Sequence, residues 1–137
     1  MPSEMTTIKG FVALCRKYGI TRTTAGAAPR DVAWYADQPD TRYYFEQYLR
    51  SRDILKMLAP AVGATVSAEV VKDLVEVYRL AEGDRSRIVS VSMVAAAAYS
   101  LGLGVVLGRG GDIGIRVKRR RMGALRTFYE HKLLRRR

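Results

Sequence analysis

An uninterrupted run of twenty uncharged residues, 88–107, constrains the fold of this chain more than any other segment. A run of this length is long enough to cross a bilayer, and Arg85, Arg87 and Arg109 would flank such a span. A helix that is apolar on all sides is also typical of the centre of a helical bundle. Because serines and glycines dilute the run, we expect a buried central helix. A membrane span over 88–107 and a helix broken at 102–104 are the alternatives.

The segments that precede this run have the apolar spacing of amphipathic helices. Apolar residues recur at i, i+3, i+4 and i+7, and Gly19, Pro60 and Gly83 stand where such helices would end. This pattern predicts helices over residues 7–18, 29–37, 40–59 and 67–82, with a small and polar linker at 21–28. Short strands are plausible only at residues 62–66 and 111–117. Four amphipathic helices need an apolar partner, and the uncharged run is the natural hub.

The predicted fold class is therefore all-α. We expect a helical bundle with a linker-separated N-terminal helix and a basic helical C-terminal arm. The predicted division of the chain is an N-terminal helix and linker at 1–28, a bundle core at 29–108 and the basic arm at 109–137.

Positive charge is concentrated in the predicted arm. Residues 109–137 contain 11 of the 24 lysines and arginines and only two acids, which gives a charge of +9. Residues 1–108 contain 13 bases and 11 acids, which gives +2. A local positive field of this size attracts a polyanion, because each base that meets a phosphate releases condensed counterions. Nucleic acid is the expected partner, and an anionic membrane surface comes second.

The bases of the arm do not share one helical face. At about 100° per residue they surround the predicted helix and alternate with apolar and aromatic side chains. Such a helix would be ordered by surrounding phosphates, or by protein on one side and nucleic acid on the other. Gly108, Gly110, Gly111 and Gly114 would form a flexible hinge, and their spacing is not that of a phosphate-binding loop. The simplest alternative is a solvated extension that only aids solubility.

Catalytic and metal-binding patterns are not evident in the sequence. Cys15 lies on the apolar face of the first predicted helix, and His131 lies among arginines, so they are not expected to act as a nucleophile and its base. The acidic residues occur singly and mostly on predicted outer faces, without the spacing of metal ligands. We expect no enzyme activity, no cofactor, no bound metal and no small-molecule substrate. The first ten residues do not have the pattern of a secretory signal.

Composition adds a further indication, because asparagine is absent and glutamine occurs only at positions 38 and 47. Scarce amide side chains are typical of proteins from very hot habitats, and a GC-rich genome is the alternative explanation. A small, asparagine-free helical chain with a bundle core and a dense set of arginines resembles the capsid proteins of filamentous and rod-shaped viruses of hyperthermophilic archaea. The similarity is to the tristromavirus group, and it covers length, composition and organisation rather than a motif.

This resemblance implies a structural capsid protein of the virion, assembled in the host cytoplasm. Such proteins polymerise along linear double-stranded DNA, hold it in A-form and often form a repeating dimer of two related subunits. The expected partners are therefore double-stranded DNA, with RNA as the alternative polyanion, copies of the chain and a related second subunit. The DNA-wrapping arm of that family is N-terminal, whereas the densest charge here is C-terminal.

Under this hypothesis two groups of bases contact phosphates. The main group is Arg116, Lys118, Arg119, Arg120, Arg121, Arg126, Lys132, Arg135, Arg136 and Arg137, and the second is Lys9, Arg16, Lys17, Arg22 and Arg30. Arginine forks bond two phosphate oxygens at once, so binding should follow backbone charge and not base sequence. Two other functions stay open. One is a small basic ribosome- or chromatin-associated protein, and the other is a single-span membrane protein with its basic tail on the cytoplasmic side.

Overall fold

The computed structural model describes residues 4–22, 39–59, 65–108 and 112–135. Helices make up most of this part of the chain, so the predicted helical character is confirmed. The elements, in chain order, are a short 3-10 helix at Glu4–Thr6, α1 (Ile8–Tyr18), α2 (Pro39–Leu58), β1 (Thr65–Ser67), α3 (Ala68–Ala81), α4 (Val91–Ser100), β2 (Val105–Leu107), β3 (Ile113–Arg116) and α5 (Arg119–Arg135).

A three-stranded antiparallel sheet corrects the prediction of an all-α fold. β3 lies in the middle, paired with β1 on one side and with β2 on the other. β1 and β3 fall in or beside the two segments where a short strand was plausible, and β2 lies in the uncharged run that was predicted to be helical. The inner face of the sheet is apolar, because Val66, Ile113 and Ile115 are buried against the helices.

The first helix follows its local sequence closely. The Thr7 side chain accepts a hydrogen bond from the Gly10 N–H at 3.1 Å, which caps the start of α1. Gly19 ends α1 at φ 63°, a left-handed conformation that glycine adopts without steric cost. Phe11 and Cys15 are fully buried on the inner face. The predicted helix over residues 7–18 is therefore confirmed, and so is Cys15 as a core residue.

The α4 helix is the centre of the fold, as expected for the uncharged run, but it is only ten residues long. It packs against α1, α2 and α3, and every residue from 92 to 98 is buried. Gly102, at φ 71°, ends the helical turn and redirects the chain into β2. A continuous helix over 88–107 is therefore wrong: the helix ends at Ser100, just before the alternative break at 102–104, and the residues after the break form a strand. Among the described residues, no helix combines the length and apolar character needed to cross a membrane.

The basic C-terminal segment is attached to the rest of the fold. β3 pairs with both other strands, and α5 packs along α3, with the Tyr129 ring 4.8 Å from the Tyr78 ring. The predicted boundary between 108 and 109 falls between the paired strands β2 and β3. Gly114, predicted to be part of a hinge, lies inside β3 opposite Val106. A side chain at this position would come within 3.1 Å of the Thr65 methyl group, so the close approach of β1 favours glycine here.

Some predictions fall outside the described residues. These are the brief helix at 29–37, most of the linker at 21–28, the glycines at 110 and 111, and the candidate site residues Arg30, Arg136 and Arg137.

Candidate nucleic-acid interface

The connection between β3 and α5, residues 116–121, brings five bases together, and we call it the basic junction. Its bases are exposed, while Val117 between them is only 1% exposed and holds the connection against the core. The backbone N–H of Lys118 donates to the carbonyl oxygen of Leu58 at 2.9 Å, so the start of α5 is fixed to the end of α2. The positive charges therefore project from a backbone that is held on both sides.

Two of the junction's arginines also contact the fold. The Arg116 side chain lies across Gly104, where an added Cβ would come within 2.6 Å of its Cδ. Arg121 donates from Nη1 to the carbonyl oxygen of Met57 at 2.9 Å. The side chains of Lys118, Arg119 and Arg120 form no hydrogen bond or ion pair with any described residue. Their charges are not neutralised within this part of the chain, which leaves them available to an anion.

The remaining bases of α5 differ in their surroundings. Lys132 forms an ion pair with Glu82, and Arg126 lies 3.6 Å from Glu130 in an exposed pair one helical turn apart. Arg135 is exposed. Met122 and Tyr129 form the buried side of α5. One side of α5 therefore packs on protein, and bases occupy much of its remaining surface. This agrees with the expectation that the arm has protein on one side.

Apolar side chains interrupt the outer surface of α5. Phe128 is 54% exposed and Leu134 is 61% exposed. The apolar residues of α5 therefore divide between its buried side and its outer surface. Sequence spacing alone did not separate these outward residues from Met122 and Tyr129.

The second predicted group of bases is on and after α1. Lys9, Arg16 and Lys17 are exposed. Arg22 is held by Asp40 through two hydrogen bonds, at 2.5 and 3.2 Å. The hydrogen bond from Arg22 lowers the pKa of the Asp40 carboxyl. Arg22 therefore has a structural partner, Asp40, at the start of α2. The sequence did not indicate this pair, because the two residues are 18 positions apart.

The two groups lie on helices with different packing partners. α1 packs against α4 and α2, whereas α5 packs mainly against α3. The basic junction is the denser candidate surface, since five of its six residues are bases. Lys56, which was not predicted as a site residue, is exposed in the last turn of α2, next to Met57. Its only sequence signal is its position at a helix C-terminus, where any cation suits the helix dipole.

A second cluster of charge corrects the prediction that the acids occur singly. Arg50 bonds Asp84 at 2.6 and 3.0 Å, and Arg79 bonds the same carboxylate at 2.9 Å. The Tyr78 hydroxyl donates to Asp53 at 2.9 Å beside them. A cleft of about 690 Å³ adjoins this network. Because its acids and bases neutralise one another, the cluster ties α2, α3 and the following loop together and is not a surface for a polyanion.

Cys15 is a free cysteine buried in the core. Burial raises the pKa of the Cys15 thiol to about 12, an effect that nearby Arg22 only partly opposes. In the described ranges, no group of three or more histidine, cysteine, aspartate or glutamate side chains is placed to hold a metal ion.

Comparison with protein-family models, characterised proteins and solved structures found no match to this chain. The basic junction and α5 are therefore the features of this chain that indicate a function.

Proposed function

We propose that this protein is a structural nucleic-acid-binding subunit that binds the phosphate backbone through the basic junction and the adjoining surface of α5. The observation that carries the proposal is the group Lys118, Arg119 and Arg120, whose exposed charges have no acidic partner in the described chain. Keeping like charges adjacent on a fixed backbone is unfavourable unless an anion meets them. Phosphates supply such an anion at regular spacing.

The proposed contact is nonspecific with respect to base sequence. Exposed arginine and lysine side chains neutralise phosphates, whereas base reading requires side chains placed at base edges in a groove. Three consecutive arginines at the start of α5 also radiate in different directions, because successive helical residues are about 100° apart. That arrangement favours contact with several phosphates along a backbone.

The proposed ligand is linear double-stranded DNA, and copies of the protein would assemble along it as in the filamentous capsids that the chain resembles. Dense arginine, one compact helical core and an attached basic helix support this form of the proposal. A basic ribosome- or chromatin-associated protein would use the same residues without regular assembly, so the two functions differ in the assembly and not in the phosphate contact.

The salt dependence of DNA binding tests the phosphate contact. Fluorescence anisotropy with a labelled duplex at several salt concentrations gives the slope of log K against log salt. The triple variant Lys118→Ala, Arg119→Ala, Arg120→Ala should reduce this slope by about 2 to 3 units, because each lost contact with B-form DNA removes about 0.9 of a released counterion. Arg121 stays unchanged because it bonds Met57.

A matched triple variant controls for net charge. Arg42, Arg85 and Arg87 are exposed and lie elsewhere, so replacing them with alanine removes the same three charges. Their loss should change the slope by less than about one unit. Equal slopes for the two triple variants would contradict the assignment to the basic junction.

Negative-stain electron microscopy tests assembly. The protein is imaged in low salt, with and without long linear double-stranded DNA. Regular filaments that form only with DNA would support the capsid function. Bound but irregular complexes would favour the ribosome- or chromatin-associated alternative.

A further inference from the structure

β2 is an edge strand whose outer side has no partner among the described residues. It pairs with β3 on one side only. Arg116 N–H donates to the Gly104 carbonyl at 3.0 Å, and Gly108 N–H donates to the Asp112 carbonyl at 2.7 Å. Since bonded positions alternate in an antiparallel ladder, the backbone groups of Val105 and Leu107 point away from β3. These groups form a template for another strand.

The template is self-complementary. If a second β2 runs antiparallel with Val106 opposite Val106 of the second copy, Val105 of each strand lies opposite Leu107 of the other. The outward N–H and C=O groups of these residues then bond to each other. The central Val106 pair is of the non-hydrogen-bonded type, whose side chains lie close together. Val106 is 45% exposed and Leu107 is 47% exposed, so pairing would also cover apolar surface.

Charge favours a second copy at this edge. The whole chain carries +11, so two copies repel each other over most of their surfaces. Residues 101–108 contain no charged side chain. The Arg116 side chain of each copy lies over Gly104, and in this register the two Gly104 residues are four positions apart along the paired strands, about 14 Å. This exceeds the screening length of about 8 Å at physiological salt.

We propose that β2 pairs with β2 of a second copy to form a two-fold symmetric dimer with a continuous six-stranded sheet. The inference extends the proposed function by naming the surface through which copies meet, and it does not require nucleic acid. A two-fold axis perpendicular to the sheet places both outer faces on the same side. Arg116 lies on that face, across Gly104, so the dimer presents both copies of Arg116 to one side.

Cysteine cross-linking tests the proposed register. Val106→Cys places two thiols opposite each other at the dimer axis, at a Cβ separation of about 4.5 to 5.5 Å that allows a disulfide with small adjustment. Val70→Cys is the matched control, because Val70 is also a valine, is 48% exposed and lies on α3. Cys15 is fully buried and does not compete. Under mild oxidation without nucleic acid, Val106→Cys should form a covalent dimer much faster than Val70→Cys.

Sedimentation provides an independent measurement. Two paired strands of three residues form a small interface, and interfaces below about 1,200 Å² are typically weak. The unmodified protein should therefore be dimeric at concentrations on the order of 100 µM. Val106→Lys sets two like charges opposite each other and should give a monomer, while Val70→Lys should stay dimeric. Circular dichroism checks that both variants are folded, and the cysteine pair supplies the result if Val106→Lys is not.

The salt dependence separates this inference from the proposed function. Raising salt should leave the β2 dimer unchanged or strengthen it, whereas it weakens phosphate binding. A protein that stays monomeric at this concentration would overturn the inference, as would equal cross-linking of the two cysteine variants. A dimer that survives Val106→Lys would also overturn it, because it must use another surface. None of these results alters the slope measured with the Lys118, Arg119 and Arg120 variant.

Discussion

Arg121 donates a hydrogen bond from Nη1 to the backbone carbonyl oxygen of Met57 at 2.9 Å, which joins the first turn of α5 to the last turn of α2. The last carbonyls of a helix have no partner within the helix and carry partial negative charge. The positively charged guanidinium of Arg121 donates a hydrogen bond to one of these carbonyl oxygens. The basic junction therefore contains one arginine that holds the helix in place and neighbours that face solvent.

This difference predicts that adjacent arginines respond differently to alanine. Arg121→Ala should lower the free energy of unfolding by about 1 kcal/mol, the usual net contribution of a partly solvated hydrogen bond to a charged group. Arg119→Ala should change it by less than about 0.5 kcal/mol, as for most exposed positions. Urea denaturation followed by circular dichroism measures both, and similar losses in the two variants would show that the bond to Met57 contributes nothing.

Asp84→Asn should be among the more destabilising substitutions of a charged residue. It removes the carboxylate shared by Arg50 and Arg79, and the Arg79 side chain is only 4% exposed. Leaving a buried guanidinium without its carboxylate should cost about 2 to 4 kcal/mol. Asp73→Asn is the control, because Asp73 is 54% exposed beside Lys72 and such pairs contribute about 0 to 1 kcal/mol. Urea midpoints compare the two variants.

The same carboxylate predicts an acid dependence of stability. Burial alone would raise the pKa of Asp84, but hydrogen bonds from Arg50 and Arg79 outweigh it and lower the pKa below its ordinary value. A lowered folded-state pKa adds stability above the unfolded value, and that stability is lost as the pH falls through the folded value. Stability should therefore decline below about pH 4. Asp84→Asn should decline less over this range, and a parallel decline would contradict the assignment.

Two exposed glycines should respond to alanine with opposite sign. Gly102 has φ 71° and open space around it, so Gly102→Ala meets backbone strain and should destabilise the fold by about 1 to 2 kcal/mol. Gly123 lies within α5, also in open space and without a positive φ. Gly123→Ala should stabilise the fold by up to about 1 kcal/mol, because alanine has a higher helix propensity than glycine. Thermal unfolding of the two variants measures the signs, and a loss of stability in Gly123→Ala would indicate that α5 needs a glycine there.

Cys15 should be unreactive in the folded protein. The thiol is fully buried, and its raised pKa keeps it protonated at neutral and mildly basic pH. A thiol reagent such as 5,5′-dithiobis(2-nitrobenzoic acid) at pH 8 should therefore label almost no native protein and one thiol per chain in denaturant. Rapid native labelling would show that α1 opens from the core.

Helix positions could be predicted from the sequence because their signals are local. Thr7 and Gly19 set the limits of α1, Ser67 caps α3 by accepting from Glu69 N–H, and apolar spacing marks the buried side of each helix. The uncharged run was correctly placed at the centre of the fold. The length of the helix in this run was not predicted correctly, because an apolar run can form either a buried helix or a strand. Gly102 marks the place where the helix ends and the chain turns into the strand.

The candidate surface was only partly predictable. Charge counting located the dense bases within 109–137, since the charge of a segment can be read directly from its residues. It did not show that Arg121, Arg22 and Lys132 have partners in Met57, Asp40 and Glu82, or that Asp84 joins two arginines. Apart from Arg79 and Asp84, which are five positions apart, these partners lie between 18 and 64 positions away in the sequence.

The sequence by itself determined the helices α1, α2 and α3, the buried centre and the sign and location of the charge, because each depends on neighbouring residues or on composition. Tertiary structure alone decided the strand pairing, the place of β2 at the edge of the sheet, and the division of the described bases into partnered and solvent-facing side chains. Strand pairing and ion pairing depend on which distant segments meet, and no local pattern records that choice.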